Sequence, residues 1–159
     1  MSNLKVSIVT DAKEETARFI DGIFTNEMDV LVQTESEMRG SIADINVLVP
    51  GHIAVDPDLI KGGSNLKMIH CGTGYNNVDL DAANANGTYI AVTPNVAAQS
   101  VAELVFACFL ALSKKITTFD SLMKGGGWKT TDFIGTPELK GKTLGILGYG
   151  NIGKASARI

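Results

Sequence analysis

Apolar residues in this chain gather in short runs separated by polar stretches, and the period of the pattern switches along the way. Residues 4–9, 28–32, 45–49, 66–70 and 89–92 are runs rich in Val, Ile and Leu, and each predicts a β-strand. After the first run, Asp11 with Glu14 three residues on has the capping-box pattern, and Ala17, Ile20 and Phe24 follow at helical spacing. The polar stretch 35–41 predicts a short helix. Asp56-Pro57 predicts a helix start, because proline at the first helical position lacks an N–H that would be unpaired anyway; Gly62-Gly63 ends that helix. Asp79 or Asp81 starts another, closed by Asn86-Gly87. Strands alternating with helices predict βαβ units, a parallel sheet and an α/β fold.

The pattern changes after Pro94. Ser100 with Glu103 repeats the capping-box spacing and predicts a helix running to Lys124. Its first three turns (Val101, Leu104, Val105, Phe106, Cys108, Phe109, Leu110, Leu112) are apolar on nearly all sides. Such a helix must be covered all round, which predicts a domain junction or a subunit interface; a buried core helix is the alternative. Gly125-Gly126-Gly127 breaks the helix, 128–142 is a mostly polar connector, and 143–147 predicts a sixth strand.

Composition narrows the function classes. The 159 residues carry 14 Lys and Arg against 17 Asp and Glu, a net charge of −3, which argues against nucleic-acid or acidic-membrane partners. Cys71 and Cys108 are too few for a disulfide framework and lack metal-ligand spacing, so no metal site is predicted. The first residues lack a signal-peptide pattern, and the apolar stretch 101–112, interrupted by Glu103, falls well short of the roughly 20 residues of a membrane span. The expectation is a cytoplasmic protein. Asn86-Gly87-Thr88, a formal glycosylation sequon, then reads as a turn.

Candidate chemistry begins at Gly148-Tyr149-Gly150-Asn151-Ile152-Gly153, a G-x-G-x-x-G run directly after the sixth predicted strand. The spacing suits a dinucleotide. Gly148 allows a tight turn, Gly150 lets the backbone approach a pyrophosphate, and Gly153 permits close packing of helix on strand. Amides near Asn151 and Ile152 would hold the phosphates; a plain glycine turn is the alternative. The acidic residue that binds the ribose belongs about 20 residues further on, past Ile159. Elsewhere, His70 ends a strand and reads as structural, Glu103 as a cap, and Cys71 as small-residue packing.

The chain resembles the N-terminal part of the D-isomer-specific 2-hydroxyacid dehydrogenases. The resemblance is carried by Cys71-Gly72-Thr73-Gly74-Tyr75-Asn76-Asn77-Val78-Asp79-Leu80-Asp81-Ala82-Ala83, then Thr93-Pro94-Asn95, Ser100-Val101-Ala102-Glu103, Trp128, and the run from Leu139 through Gly153. It implies a flavodoxin-like substrate domain over 1–98, with helices on both faces of its sheet. Residues 99–159 would be an interdomain and dimerisation helix (100–124, joining a homodimer) and the first strand and turn of a truncated Rossmann domain. It implies NAD as cofactor, with NADH or NADPH preference open, and a small 2-hydroxy or 2-oxo acid as substrate. Thr73 and Gly74 match the loop whose amides bind the substrate carboxylate; Tyr75 adjoins them and His52 could face the same cleft, an exposed loop histidine being the alternative. Val96 and Val101 would lie near the nicotinamide. The arginine, glutamate and histidine that perform the family's chemistry fall beyond the fingerprint, so no catalytic residue is expected in this chain, and binding of NAD or activity by it alone is doubtful. A non-catalytic binding or dimerisation module, or a folding fragment of the family, is the alternative.

Overall fold

In the computed structural model, which describes residues 3–128 and 135–159, the five runs before Pro94 all become strands: β1 Leu4–Val9, β2 Met28–Gln33, β3 Val47–Val49, β4 Met68–His70 and β5 Tyr89–Ala91. They pair in parallel in the order β2-β1-β3-β4-β5. Helices α1 Lys13–Ile20, α2 Glu35–Ser41, α3 Pro57–Gly62 and α4 Leu80–Asn86 connect them, with a 3-10 turn at Ile42–Asp44 after α2.

Handedness explains where the core lies. Right-handed crossovers place α1, which leads from β1 outward to β2, on one face, and α2, α3 and α4 on the other. Ser7, Leu48, Ile69 and Ile90 stand side by side in the sheet register. Leu48 and Ile69 are fully buried in one cluster with Met38, Leu59, Ile60 and Ala83 from the three helices. The face with α1 is thinner: α1 buries no residue, and Phe19 is 78% exposed. The buried Ser7 hydroxyl donates to Gln33 Oε1 at 2.9 Å, and among the described residues no buried side-chain nitrogen or oxygen lacks a partner.

Caps depart from the sequence pattern. Neither Asp11 nor Ser100 caps a helix: α1 and the later helix start after Ala12 and Ala97, without side-chain caps. Glu14 pairs with Arg18, and Glu103 accepts from Gln99 one helical turn away. The capping box forms instead at Thr34 and Glu37, at the start of the polar stretch. Asp56 and Asp79 cap α3 and α4 as expected, accepting from Leu59 N and Ala82 N at 2.8 Å. Phe24 lies beyond the end of α1, so the predicted apolar face stops at Ile20.

Residues 1–94 and 95–159 are separate compact units. In the second, the long predicted helix is two: α5 Ala98–Ser113 and α6 Ile116–Lys124, broken at Lys115, whose φ of 51° is left-handed. The predicted strand at 143–147 does not form. A strand is defined by its neighbours, and no described residue pairs with this segment. A short helix, α7 Asn151–Ser156, follows the glycine fingerprint and packs on α5, where buried Ala102, Gly153 and Ser156 are small enough for close approach. Part of the predicted connector, 129–134, lies outside the described residues.

Candidate functional site

The chain runs from β1 outward to β2 and then returns to β3, so the order reverses between β1 and β3. In open parallel sheets this reversal leaves a crevice at the carboxyl ends of the strands. The loops after β1, β3 and β4 all end there. The β3 and β4 loops are tied together: Val55 N donates to Asn77 O at 2.8 Å, Asp79 N to Val55 O at 3.1 Å, and the Asn77 carboxamide to Ile53 O at 2.8 Å. Gly51 sits at φ +59°, and a Cβ there would lie 2.9 Å from Val9 O, so only glycine lets the β3 loop lie this close to β1.

Two adjoining hollows result. One, of about 290 Å³, is lined by Gly51, His52, Cys71, Thr73, Gly74, Asn76 and Asn77, with no acidic side chain among them. Among the described residues, the amides of Thr73, Gly74, Tyr75 and Asn76 make no hydrogen bond. Consecutive free amides concentrate positive partial charge and suit an anion. Thr73, Gly74 and His52 therefore meet in one hollow, whereas Tyr75 does not line it and stands half-exposed. The second hollow, about 560 Å³, shares Gly51 and His52 and extends across the switch point to Thr10, Asp11 and Glu35.

Neighbouring polar groups are structural. His70 Nε2 lies 2.9 Å from Thr93 Oγ1, which ties β4 to the end of β5. Burial pushes the Cys71 thiol above its ordinary pKa, disfavouring the thiolate that a nucleophile needs. Asp11 and Glu35 escaped notice in the sequence because the first resembled a cap and the second a solvated helix face. Only the strand order brings both to the crevice. Among the described residues, no group of three or more His, Cys, Asp or Glu could hold a metal ion.

The glycine fingerprint belongs to the second unit. Gly148 has φ +90°, and Gly153 is buried against its carbonyl: a Cβ on Gly153 would overlap Gly148 O and lie 3.3 Å from Ile146 Cγ2. The turn therefore requires both glycines. Gly150 caps α7, whose first helical bond runs from Lys154 N to Gly150 O at 2.9 Å, leaving the Asn151 and Ile152 amides exposed and unpaired among the described residues. This backbone fits a pyrophosphate. Val101 is half-buried on α5, and Val96 is exposed ahead of it.

The profile of the D-isomer specific 2-hydroxyacid dehydrogenase catalytic domain matches residues 6–148. The chain belongs to this family. Human D-3-phosphoglycerate dehydrogenase is 34% identical over 161 residues, covering 98% of this chain and 30% of that protein. Glyoxylate reductase of Thermococcus litoralis is 38% identical over 112 residues, covering 65% of this chain and 34% of that protein. A solved D-lactate dehydrogenase from Aquifex aeolicus, complexed with NAD and lactic acid, has the same fold: TM-score 0.78 at 21% identity, over 96% of this chain and 47% of that one. The chain thus spans about a third of the length of the curated dehydrogenases it matches. Both the crevice loops and the start of the fingerprint fall inside the matched region. Among the described residues, no helix is long and apolar enough to cross a membrane.

Proposed function

We propose that this chain provides the substrate-carboxylate cradle and the pyrophosphate turn of an NAD- or NADP-dependent 2-hydroxyacid dehydrogenase. The observation that carries this reading is the run of unpaired amides from Thr73 to Asn76, of which Thr73, Gly74 and Asn76 line a hollow without acidic side chains. They would clamp the carboxylate of a small 2-hydroxy or 2-oxo acid, fixing the orientation of its C2, with His52 at the rim. Amides at Asn151 and Ile152, on the turn built by Gly148, Gly150 and Gly153, would hold the dinucleotide, and Val101 would bear on its nicotinamide. When bound, the nicotinamide supplies or accepts the hydride. No arginine lines the cradle, so the chain by itself binds the acid without turning it over.

An NMR titration of the chain with glyoxylate tests this. Saturable shifts at the amides of residues 73–76 are expected, and Gly74→Pro, which deletes one donor to a charged ligand, should weaken binding about tenfold or more. Binding unchanged in Gly74→Pro would exclude the cradle.

The same reading includes a homodimer through residues 100–124. Ala102 is the one residue of α5 buried in the single chain, while Leu104, Phe109, Leu110 and Leu112 stand exposed, Leu112 at 78%. Large apolar side chains left exposed on several sides of one helix mark an interaction surface. Sedimentation giving only a 16.8 kDa species would overturn it. The free thiols Cys71 and Cys108 suit a reducing compartment, and we place the protein in the cytoplasm.

A further inference from the structure

We infer that the crevice selects 2-hydroxy and 2-oxo acids whose far end is short and uncharged, and rejects those carrying a phosphate or a second carboxylate there. Asp11 and Glu35 set this preference. The inference rests on the carboxylate cradle proposed above and adds the identity of the rest of the substrate.

The two hollows share Gly51 and His52 as lining residues. An acid clamped by the amides of residues 73–76 has the larger hollow beside it as the space for its other end. That space is lined by Val9, Pro50 and Ile53, by Thr10, and by two carboxylates; it contains no lysine or arginine. The Thr10 hydroxyl accepts from Ala12 N at 3.1 Å, so its oxygen is partly engaged.

The surrounding charges reinforce the sign. Arg39 is the nearest guanidinium in the network, and it serves two carboxylates at once, Glu35 at 2.8 Å and Asp56 at 3.1 Å. Lys13 is committed to Glu37, bonding both of its carboxylate oxygens at 2.8 Å. Asp11 has no cationic partner among the described residues. Arg39 is thus shared between Glu35 and Asp56, and Lys13 is paired with Glu37, so neither is an unpaired cation for an incoming anion.

A phosphate entering the hollow would meet like charge from Asp11 and Glu35 and find no donor cation, whereas phosphate recognition calls for Arg, Lys or a nest of amides. Outside the cradle the adjacent amides of Gly51 and His52 are also unpaired among the described residues and line both hollows, so the rejection of a phosphate rests on the carboxylates of Asp11 and Glu35 and on the lack of a lining lysine or arginine. A hydroxymethyl or methyl end meets no such penalty: the Val9, Pro50 and Ile53 walls accept carbon, and the two carboxylates accept hydrogen bonds from a hydroxyl.

The test compares hydroxypyruvate with its 3-phosphate, with glyoxylate as the acid that has no far end, each titrated into the chain at low ionic strength where charge effects are least screened. Hydroxypyruvate should bind at least tenfold more tightly than the phosphate ester. The ratio should fall at least threefold in Asp11→Asn and further in Asp11→Asn/Glu35→Gln, and 0.5 M salt should compress it in the unsubstituted chain. Equal affinity for the two ligands, or a ratio unchanged by the substitutions, would overturn the inference while leaving the cradle intact. If glyoxylate also failed to bind, the cradle reading would fall and this inference with it. Among the described residues the Asp11 side chain makes no hydrogen bond or ion pair, so its substitution reads the charge; circular dichroism of each variant verifies that the fold is kept.

Discussion

The two units of this chain answer similar sequence signals in opposite ways. Val47–Val49 is a three-residue strand, shorter than most, yet it is fully formed because β1 and β4 flank it. The segment 143–147 has a longer run of strand-forming residues and no partner among the described residues, and Leu147 stands fully exposed. The helices differ similarly. Leu59 and Ile60 on the six-residue α3 are buried against the sheet, while the sixteen-residue α5 buries only Ala102. Propensity proposes an element, but neighbours decide whether it pairs and which face it hides.

Unequal responses to substitution would sharpen this contrast. The largest effect belongs to the packed side: Leu48→Ala removes a fully buried side chain between β1 and β4 and should cost about 3–4 kcal/mol by urea unfolding. A loss below about 1 kcal/mol would mean the sheet core is loosely packed. Next is Gly153→Ala, which drives a methyl group into the Gly148 carbonyl. It should destabilise the α5–α7 contact by about 1–3 kcal/mol and abolish any NADH binding detected by energy transfer from Trp128. Leu112→Ala should change unfolding by less than about 0.5 kcal/mol in dilute protein. At high concentration it should instead weaken self-association, and no change there would remove Leu112 from the dimer surface.

The smallest effect is electrostatic and lies in the first unit. Bonds from the Lys13 ammonium, then from the Thr34 amide and hydroxyl, lower the Glu37 pKa from 4.5 to about 2. Because the folded-state value is the depressed one, the stabilisation is complete above about pH 4.5 and is lost as pH falls toward 2. Melting curves of Glu37→Gln should therefore sit below those of the unsubstituted chain at pH 5 and converge on them near pH 2. A gap independent of pH would assign the effect to the capping geometry alone.

Much of the first unit was legible because its signals are local. Asp56-Pro57 and Asp79 marked their helices through caps that depend on a few neighbouring residues, and the five strand runs carried enough Val and Ile to be found. Caps misled where a competing geometry was equally local: Asp11-Glu14 and Ser100-Glu103 have the spacing, but the helices begin after Ala12 and Ala97. Lys115 gave no sign that one helix would become two, since a single left-handed residue is set by how the flanking helices turn. In the candidate site, the Gly-rich loop at 72–74 and the fingerprint at 148–153 were visible as motifs. Asp11 and Glu35 were not, because pairing of β1 with β2 brings them together and the β3 loop joins them only across the β1–β3 reversal.

The sequence by itself determined the α/β alternation, the family through the residues from Cys71 to Gly153, and the two glycine turns, all of which depend on residue type at short spacing. Tertiary structure alone decided the strand order, the burial of one sheet face beneath α2, α3 and α4, the sharing of Gly51 and His52 by two hollows, and the failure of 143–147 to become a strand. Each of these depends on which distant segment lies alongside, and a backbone amide or an apolar side chain has no preference about that until its neighbour is in place.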